Sequence, residues 1–556
     1  MRVTTRFRRA ATGLLAGALA ATVATSVLSG AGRKFYDDDP ITREPETQDA
    51  SGAEPWEIDL IWDLAYNLFA TPRMHVAGER AKNINTIDEV PDSGWFTNRI
   101  LARPVTAEEI TRGPLEGTGP KPGTWTVVRA KEAGFAPGFT MQDADGVTWF
   151  VSFDGKGYPE AATSAILVAN KLFWAIGYWQ AENYLITIRP EALVIGDTAK
   201  WDPPSGRRRA MHRGDLESVL LRAHRSADGS YRAVAARSIP GKVLGGFRYQ
   251  GTRPDDPNDI VPHEDRRELR ALRVFGAWTN LVDMKAGNTL DSVITEGGKG
   301  IVRHYLQDVG STFGTGANGP HDWDEGWEYL YQGDLIWKRA LSLGFVPRVP
   351  WQTADYQESD AIGRFEGDAF VPSGWRPRVP TAAFLRARPD DDFWAARRVM
   401  AFTDDQTRAA VKTGQYSDPA AERYLADVLI KRRDKIGREY FLAINPLVDF
   451  ALDGTALTFE NAAVAARVAE PPAGGYSAEW FTFDNTTGST NPIGEITDGA
   501  GPRVELPRGL PTATGAYVKV QVRAVTPAHD AWAKPVDVFF RRVATGWTLV
   551  GLERLP

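Results

Sequence analysis

The chain contains no cysteine. Disulfides, thiolate metal sites, a cysteine nucleophile and a lipid-bearing cysteine are therefore excluded, and the fold must be held by packing and polar contacts alone. Histidine is nearly as scarce. His75, His212, His224, His263, His304, His321 and His529 are scattered, with no H-x-H or H-E-x-x-H spacing for zinc. No G-x-S-x-G elbow marks an esterase. A basic excess is missing as well: 65 Lys and Arg against 71 Asp and Glu leave a net charge of -6, which argues against a nucleic-acid partner.

Only one long apolar run exists, and it lies at the N-terminus. "MRVTTRFRR" is a basic lead without acids, followed by "AATGLLAGALAATVATSVLSGAG". Ser29 and Ala31 give the small-x-small pattern that a signal peptidase reads, so residues 1–31 are expected to be an export signal cleaved after Ala31. An uncleaved anchor is the other reading, since the run is about long enough to span a bilayer. Either way the expected location is outside the cytoplasm, with membrane contact only through this segment.

At 556 residues the chain exceeds one compact core, and its 18 Trp and 25 Phe supply several. Residues 32–118 are rich in Pro, Asp and Thr and read as an arm, with one helix in "EPWEIDLIWDLAYNLFATP". There Ile58, Ile61, Leu64 and Leu68 recur at helical spacing, and Pro55 suits a first turn. Residues 119–205 alternate like strands in "TWTVVRAK" and "FTMQDADGVTWFVSFD", with Asp145-Gly146 as a hairpin turn. A helix follows in "PEAATSAILVANKLFWAIG", then two more strands. Residues 206–450 read as mainly helical, including "HEDRRELRALRVFGAWTNLVDM" and "DPAAERYLADVLIKRRDKIGREYFLAI". Residues 451–556 alternate again and predict a β-sandwich-like domain.

Two short stretches carry the chemistry. "NLVDMKAGNTLD" sets Asp283 five residues before Asn288, and "HYLQDVGSTFG" sets Asp308 two residues before Gly310 at the end of an apolar strand. Phosphoryl transfer needs one carboxylate to orient the acceptor hydroxyl, and an Asn and a second Asp to hold magnesium on the phosphates. D-x-x-x-x-N followed one hairpin later by D-x-G is that arrangement. Each half alone is common, and order and spacing give the pair its weight. Asp308, ending an apolar strand, is expected to be partly shielded. The cluster His321, Asp322, Asp324 and Glu325 lacks the spaced ligands of an EF-hand and reads as an acidic loop.

On these motifs, residues from Thr124 to Ala451 resemble the atypical protein-kinase-like fold, nearest to HipA-type and spore-coat CotH-type kinases in an exported bacterial branch. The resemblance implies an α+β, two-lobed architecture: a small β-rich lobe for ATP and a larger helical lobe for substrate, flanked by the arm and the C-terminal β-domain. It implies Asp283 as catalytic base, Asn288 and Asp308 as ligands of Mg²⁺ or Mn²⁺, and a loop with Gly134 and Gly138 over the phosphates of ATP. Glu160 is, by position, the candidate partner of the ATP-gripping lysine. That lysine belongs on the third strand, where Ser152 stands, so Lys131 beside the glycine loop is the candidate for its role; Lys156, in a turn, reads as solvated. The expected function is Mg-ATP-dependent phosphoryl transfer to a protein or small-molecule acceptor. The alternative is a non-catalytic surface module that binds peptide or glycan.

Overall fold

The structure is a computed structural model that describes residues 32–71, 79–131, 136–203, 206–345 and 358–554. The export segment and Gly134 lie outside these residues. The chain is a mixed α+β protein with several sheets and helices. No helix among the described residues is long and apolar enough to cross a membrane.

The arm forms helix α1 (Leu60–Ala65), which runs on into a π-turn over Tyr66–Ala70. The helix starts at Leu60 and not at Pro55, because the Asp59 carboxylate accepts from Ile61 N and Trp62 N, both at 3.0 Å. Its polarity is the reverse of that expected from the apolar repeat. Asp63 and Asn67 are buried, with Gln250 3.4 Å from the Asp63 carboxylate, while Ile61 is 79% and Trp62 73% exposed. Helix α2 (Ala107–Arg112) begins at a capping box of Thr106 and Glu109.

The central sheet takes β1 (Trp125–Ala130), β2 (Gly138–Gln142) and β3 (Thr148–Phe153) as an antiparallel run. Helix α3 (Ala161–Ile176) follows and stops at Gly177. Then come β4 (Asn183–Ile188), β5 (Leu193–Trp201), β6 (Arg209–Ala210), helix α4 (Arg213–Leu220) and β7 (Tyr231–Arg237). The order across the sheet is β4-β7-β3-β2-β1-β5-β6. A boundary at residue 205 would therefore cut the sheet, since β7 is the strand that joins β4 to β3. One face is apolar: Trp149, Val151 and Phe153 pack with Leu216 and Val219 of α4. Phe150, Ser152 and Thr140 lie on the other.

Strand β8 (Lys242–Gly245) precedes helix α5 (Arg267–Thr279), and β9 (Thr289–Glu296) and β10 (Lys299–Leu306) complete a three-stranded sheet in the order β10-β9-β8. The periodic pattern runs on to Met284, yet α5 ends at Thr279, where Asn280 turns left-handed with φ 56°. Helices α6 (Gly333–Leu341), α7 (Ala382–Arg386), α8 (Pro389–Met400), α9 (Asp404–Lys412) and α10 (Pro419–Leu442) follow. Phe275 and Trp278 of α5, Trp394 of α8 and Leu429 of α10 share one core, and Trp278 Nε1 donates to Leu429 O at 2.9 Å. The C-terminal part holds a three-stranded sheet starting at Leu447–Leu452, four residues before the expected boundary, and a six-stranded sheet ending at Gly546–Arg554. Phe35 of the arm packs between Phe483 and Phe539 of that larger sheet.

Charge is buried at the centre of the helical part. Arg267, fully buried on α5, gives Nε to Asp391 and one terminal nitrogen to Asp390 of α8, each at 2.9 Å, and the other to Asp88 of the arm, also at 2.9 Å. Arg270 reaches Asp391 at 3.2 Å and Asp265 at 2.9 Å. Burial pushes the Asp88 carboxyl up, but Arg267, Arg80 and Arg554 together bring it below the usual carboxylate range. Removing the guanidinium leaves three carboxylates without their shared counter-charge. Arg267→Met should therefore lower the unfolding free energy by about 3–5 kcal/mol, read from urea midpoints. A change within about 0.5 kcal/mol, as for an ordinary surface site, would show that the network carries no stability.

Candidate functional site

The left-handed turn at Asn280 sends the chain out of α5 into the loop that carries the first motif. Val282 N donates to Ser311 O at 3.3 Å, and Arg378 N donates to Val282 O at 2.9 Å, so the loop lies between two distant stretches of chain. A short 3₁₀ turn over Ala286–Asn288 leads into β9. The hairpin of β9 and β10 pairs Thr289 with Leu306, which brings the end of β10 back to the start of β9.

That return joins the two motifs. Asn288 O accepts from both Gln307 N and Asp308 N, each at 3.1 Å. The Asn288 side-chain nitrogen donates to Asp283 O at 2.5 Å. A donation to a carbonyl fixes the amide's orientation, so the Asn288 side-chain oxygen stays available as an acceptor. The structure thus brings together Asp283, Asn288 and Asp308. Asp308 is exposed and not partly shielded as its apolar strand suggested, because β10 ends at Leu306 and the chain steps out of the sheet at Gln307. Its Oδ1 accepts from Gly310 N at 3.1 Å, and a Cβ on Gly310 would stand 2.7 Å from Ile166 of α3. The glycine lets the Asp308 turn lie against that helix.

Asp283 is half-buried and paired. Lys285 Nζ is 2.9 Å from Oδ2, and Arg378 stands 3.6 Å away. Burial pushes its carboxyl up, but Lys285, Arg378 and Asn288 outweigh burial and hold it below the usual range. Arg378 also gives Nε and a terminal nitrogen to Glu325 Oε1 at 3.0 and 2.7 Å. Beyond Glu325 lies His321, whose Nε2 is 2.9 Å from Ser311 Oγ. Arg378, Glu325, His321 and Ser311 are members of the site that sequence reading missed. The only signal was the acidic cluster after His321, which reads as a loop.

The small-sheet residues are placed as follows. Lys131 Nζ is 3.4 Å from Ser152 Oγ, so the lysine at the end of β1 reaches the strand position where a lysine was expected. Gly138 pairs with Ser152, and a Cβ there would meet Val151 O at 2.3 Å, a contact that only glycine avoids. Glu160, with φ 66°, starts α3, and its carboxylate accepts from Ser417 N at 2.8 Å. Among the described residues no ion pair joins Glu160 to Lys131. The buried carboxylate at this helix start is Asp154, which accepts from Glu160 N at 3.0 Å and from Thr163 N at 2.8 Å. Lys156 is exposed in a turn.

No set of three or more His, Asp or Glu side chains among the described residues is grouped to hold a metal by itself. The donors present are the exposed carboxylate of Asp308, one amide oxygen and the paired Asp283. They fit magnesium's habit of binding through one or two carboxylates plus substrate phosphates. No protein-family model, curated protein or solved structure matches the chain.

His321 gives the site a pH signature. Burial first, then Arg378 and Arg364, outweigh Asp283 and bring its pKa from 6.5 down to about 3. Between those values the unfolded chain binds a proton that the folded chain refuses, so this contribution to stability is complete above pH 6.5 and is lost as pH falls. Wild type should lose roughly 2 kcal/mol between pH 6.5 and pH 5 relative to His321→Gln, at about 1.4 kcal/mol per pH unit. Equal pH slopes for the two proteins in urea unfolding would contradict it.

Proposed function

We propose that the chain is an exported, magnesium- and nucleotide-dependent phosphotransferase of kinase-like fold. The observation that carries the reading is the Asn288 carbonyl, which takes the amide of Asp308 while the Asn288 side chain holds the backbone of Asp283.

Asp308 and the side-chain oxygen of Asn288 would hold magnesium, which supplies positive charge against the nucleotide's phosphates. Asp283, kept ionised, is the group to orient an acceptor hydroxyl and take its proton. Lys285 and Arg378 hold that carboxylate in place. Lys131 reaches the strand position of Ser152 and is the candidate to meet the phosphates, and Gly138 lets the backbone of β2 lie close to β3. The basic lead and the Ser29–Ala31 pattern support placement outside the cytoplasm.

A second reading, a binding module without catalysis, is favoured by a different observation. A cavity of about 790 Å³ lies beneath the reversed helix α1, lined by Trp56, Trp62, Tyr66 and Phe69 among others, and none of the three motif residues lines it. Aromatic walls of this kind suit a peptide or a sugar ring.

Thermal unfolding of the mature chain separates the two. A ligand bound only by the native state stabilises it by ~2.7 kcal/mol at 100-fold excess over Kd. ADP or ATP with Mg²⁺ or Mn²⁺ should raise the midpoint of wild type. Asp308→Asn should abolish that rise without lowering the unliganded midpoint, Lys131→Ala should weaken it, and Lys156→Ala should leave it intact. No rise in wild type, with Asp308→Asn unfolding the chain, would make Asp308 a structural turn residue and leave the binding-module reading.

A further inference from the structure

The cavity beneath α1 has an aromatic side and a polar side. At about 790 Å³ it is the size of a small-molecule site, and Trp56, Trp62, Tyr66 and Phe69 wall it. Trp62 and Phe69 are exposed. The polar side is made by Asp63, Arg248 and Gln250. Asp63 is buried, with Oδ1 3.4 Å from Gln250 Nε2 and 3.9 Å from Arg248 Nε, and among the described residues no donor reaches its Oδ2. Trp56 Nε1, Arg248 Nε and Gln250 Oε1 are buried and make no hydrogen bond within the chain. Burial pushes the Asp63 carboxyl up, and Gln250 and Arg248 only partly offset it, so a donor from a ligand is what its charged form lacks. Buried polar atoms are costly until a partner meets them, and here donors and acceptors both wait for one.

These atoms select the chemistry of the partner. Arg248 and Arg253 stand in the wall with Asp63 and Asp291, paired at 3.9 and 3.4 Å, so an ion of either sign would meet a like charge beside each opposite one. A neutral group that both donates and accepts is required, and a hydroxyl does both. An extended peptide would instead add to a sheet edge. The edge of β8 at the cavity is already taken, since Trp56 N donates to Leu244 O at 2.9 Å and a Cβ on Gly245 would stand 2.4 Å from Trp56 O. A sugar ring answers both sides: its C–H faces are apolar and flat enough for an indole, and its rim carries hydroxyls.

We infer that the cavity beneath α1 is a binding site for an uncharged oligosaccharide, with Trp62 against the face of a sugar ring and Asp63 and Gln250 holding its hydroxyls. The inference rests on the binding reading of this cavity and not on nucleotide. None of Asp283, Asn288 and Asp308 lines the cavity, so a chain that transfers phosphate can hold a sugar as well.

Isothermal titration calorimetry of the mature chain tests it, with maltotetraose, cellotetraose and chitotetraose as probes and a capped, uncharged tetrapeptide for comparison. At least one of the sugars should bind at a single site per chain. Trp62→Ala should weaken that binding roughly fivefold or more, through apolar area left wet. Asp63→Asn should weaken it roughly tenfold or more, as for a lost hydrogen bond to a charged group. Asp308→Asn should leave it unchanged. Trp62 is exposed, so its truncation spares the fold, and an unaltered thermal midpoint checks this. Depletion of the chain by insoluble chitin or cellulose, set against the free tetrasaccharides, tells a polymer ligand from a soluble one. No heat with any sugar, binding undiminished in Trp62→Ala, or binding lost in Asp308→Asn would overturn the inference. Undiminished binding in Asp63→Asn would overturn the role given to Asp63. Peptide bound in place of sugar would overturn the inference and leave the binding reading standing, whereas no binding of sugar or peptide would remove both.

Discussion

One carbonyl oxygen, that of Asn288, accepts the amides of Gln307 and Asp308, and the site depends on it. The two motifs lie twenty residues apart, and the chain between them could close in many registers. The β9–β10 hairpin selects one, because pairing Thr289 with Leu306 delivers the next two amides to that oxygen. The Asn288 side chain then ties the same residue to the backbone of Asp283. Asp283 and Asp308 are thereby referenced to a single peptide unit, and a metal–phosphate site requires that kind of positioning.

Around this point the apolar packing is joined by a network of buried charge. Arg266, Arg267 and Arg270 are all buried near the start of α5, and their partners come from the arm, from α8 and from the short turn before α5. Arg554, in the last strand, approaches Asp88 at 3.9 Å and donates to Leu447 O at 2.9 Å, which links the C-terminal sheets to the same network. Without disulfides, the multiply bonded arginine is the available cross-link between distant segments. Such pairs owe their value to geometry: each is costly to break singly, and together they specify which helix faces which. The loop at Asp283 issues from the far end of α5, so the network also fixes where the site begins.

Much of this could be read in the residues. The apolar spacing of α3, α5 and α10, the Asp145-Gly146 turn and the strand ahead of Asp308 are local signals, and the elements lie at those signals, with α5 stopping short of the end of its periodic run. What could not be read is long-range or contrary to local pattern. The place of β7 between β3 and β4 rests on pairing across some eighty residues of sequence and on an insertion that disguises it. Helix α1 buries Asp63 against Arg248 and Gln250 and buries Asn67 one turn on, so its apolar repeat points to the wrong face. Arg378 reaches Asp283 from ninety-five residues away, and Ser311, His321 and Glu325 have no spacing that marks them out. The helix start at Asp154 and Glu160 shows the same limit: composition places both acids there, and only the fold shows which is buried and which turns to Ser417.

The central claim is that Asp283, Asn288 and Asp308 make one metal–nucleotide site. Electron paramagnetic resonance of Mn²⁺ titrated into the mature chain with ADP present tests it most directly, because the spectrum distinguishes immobilised from free metal. The account requires a bound signal that needs both protein and nucleotide, is lost in Asp308→Asn and is weakened in Asn288→Leu. Free Mn²⁺ throughout, or a bound signal unchanged in Asp308→Asn, would contradict it.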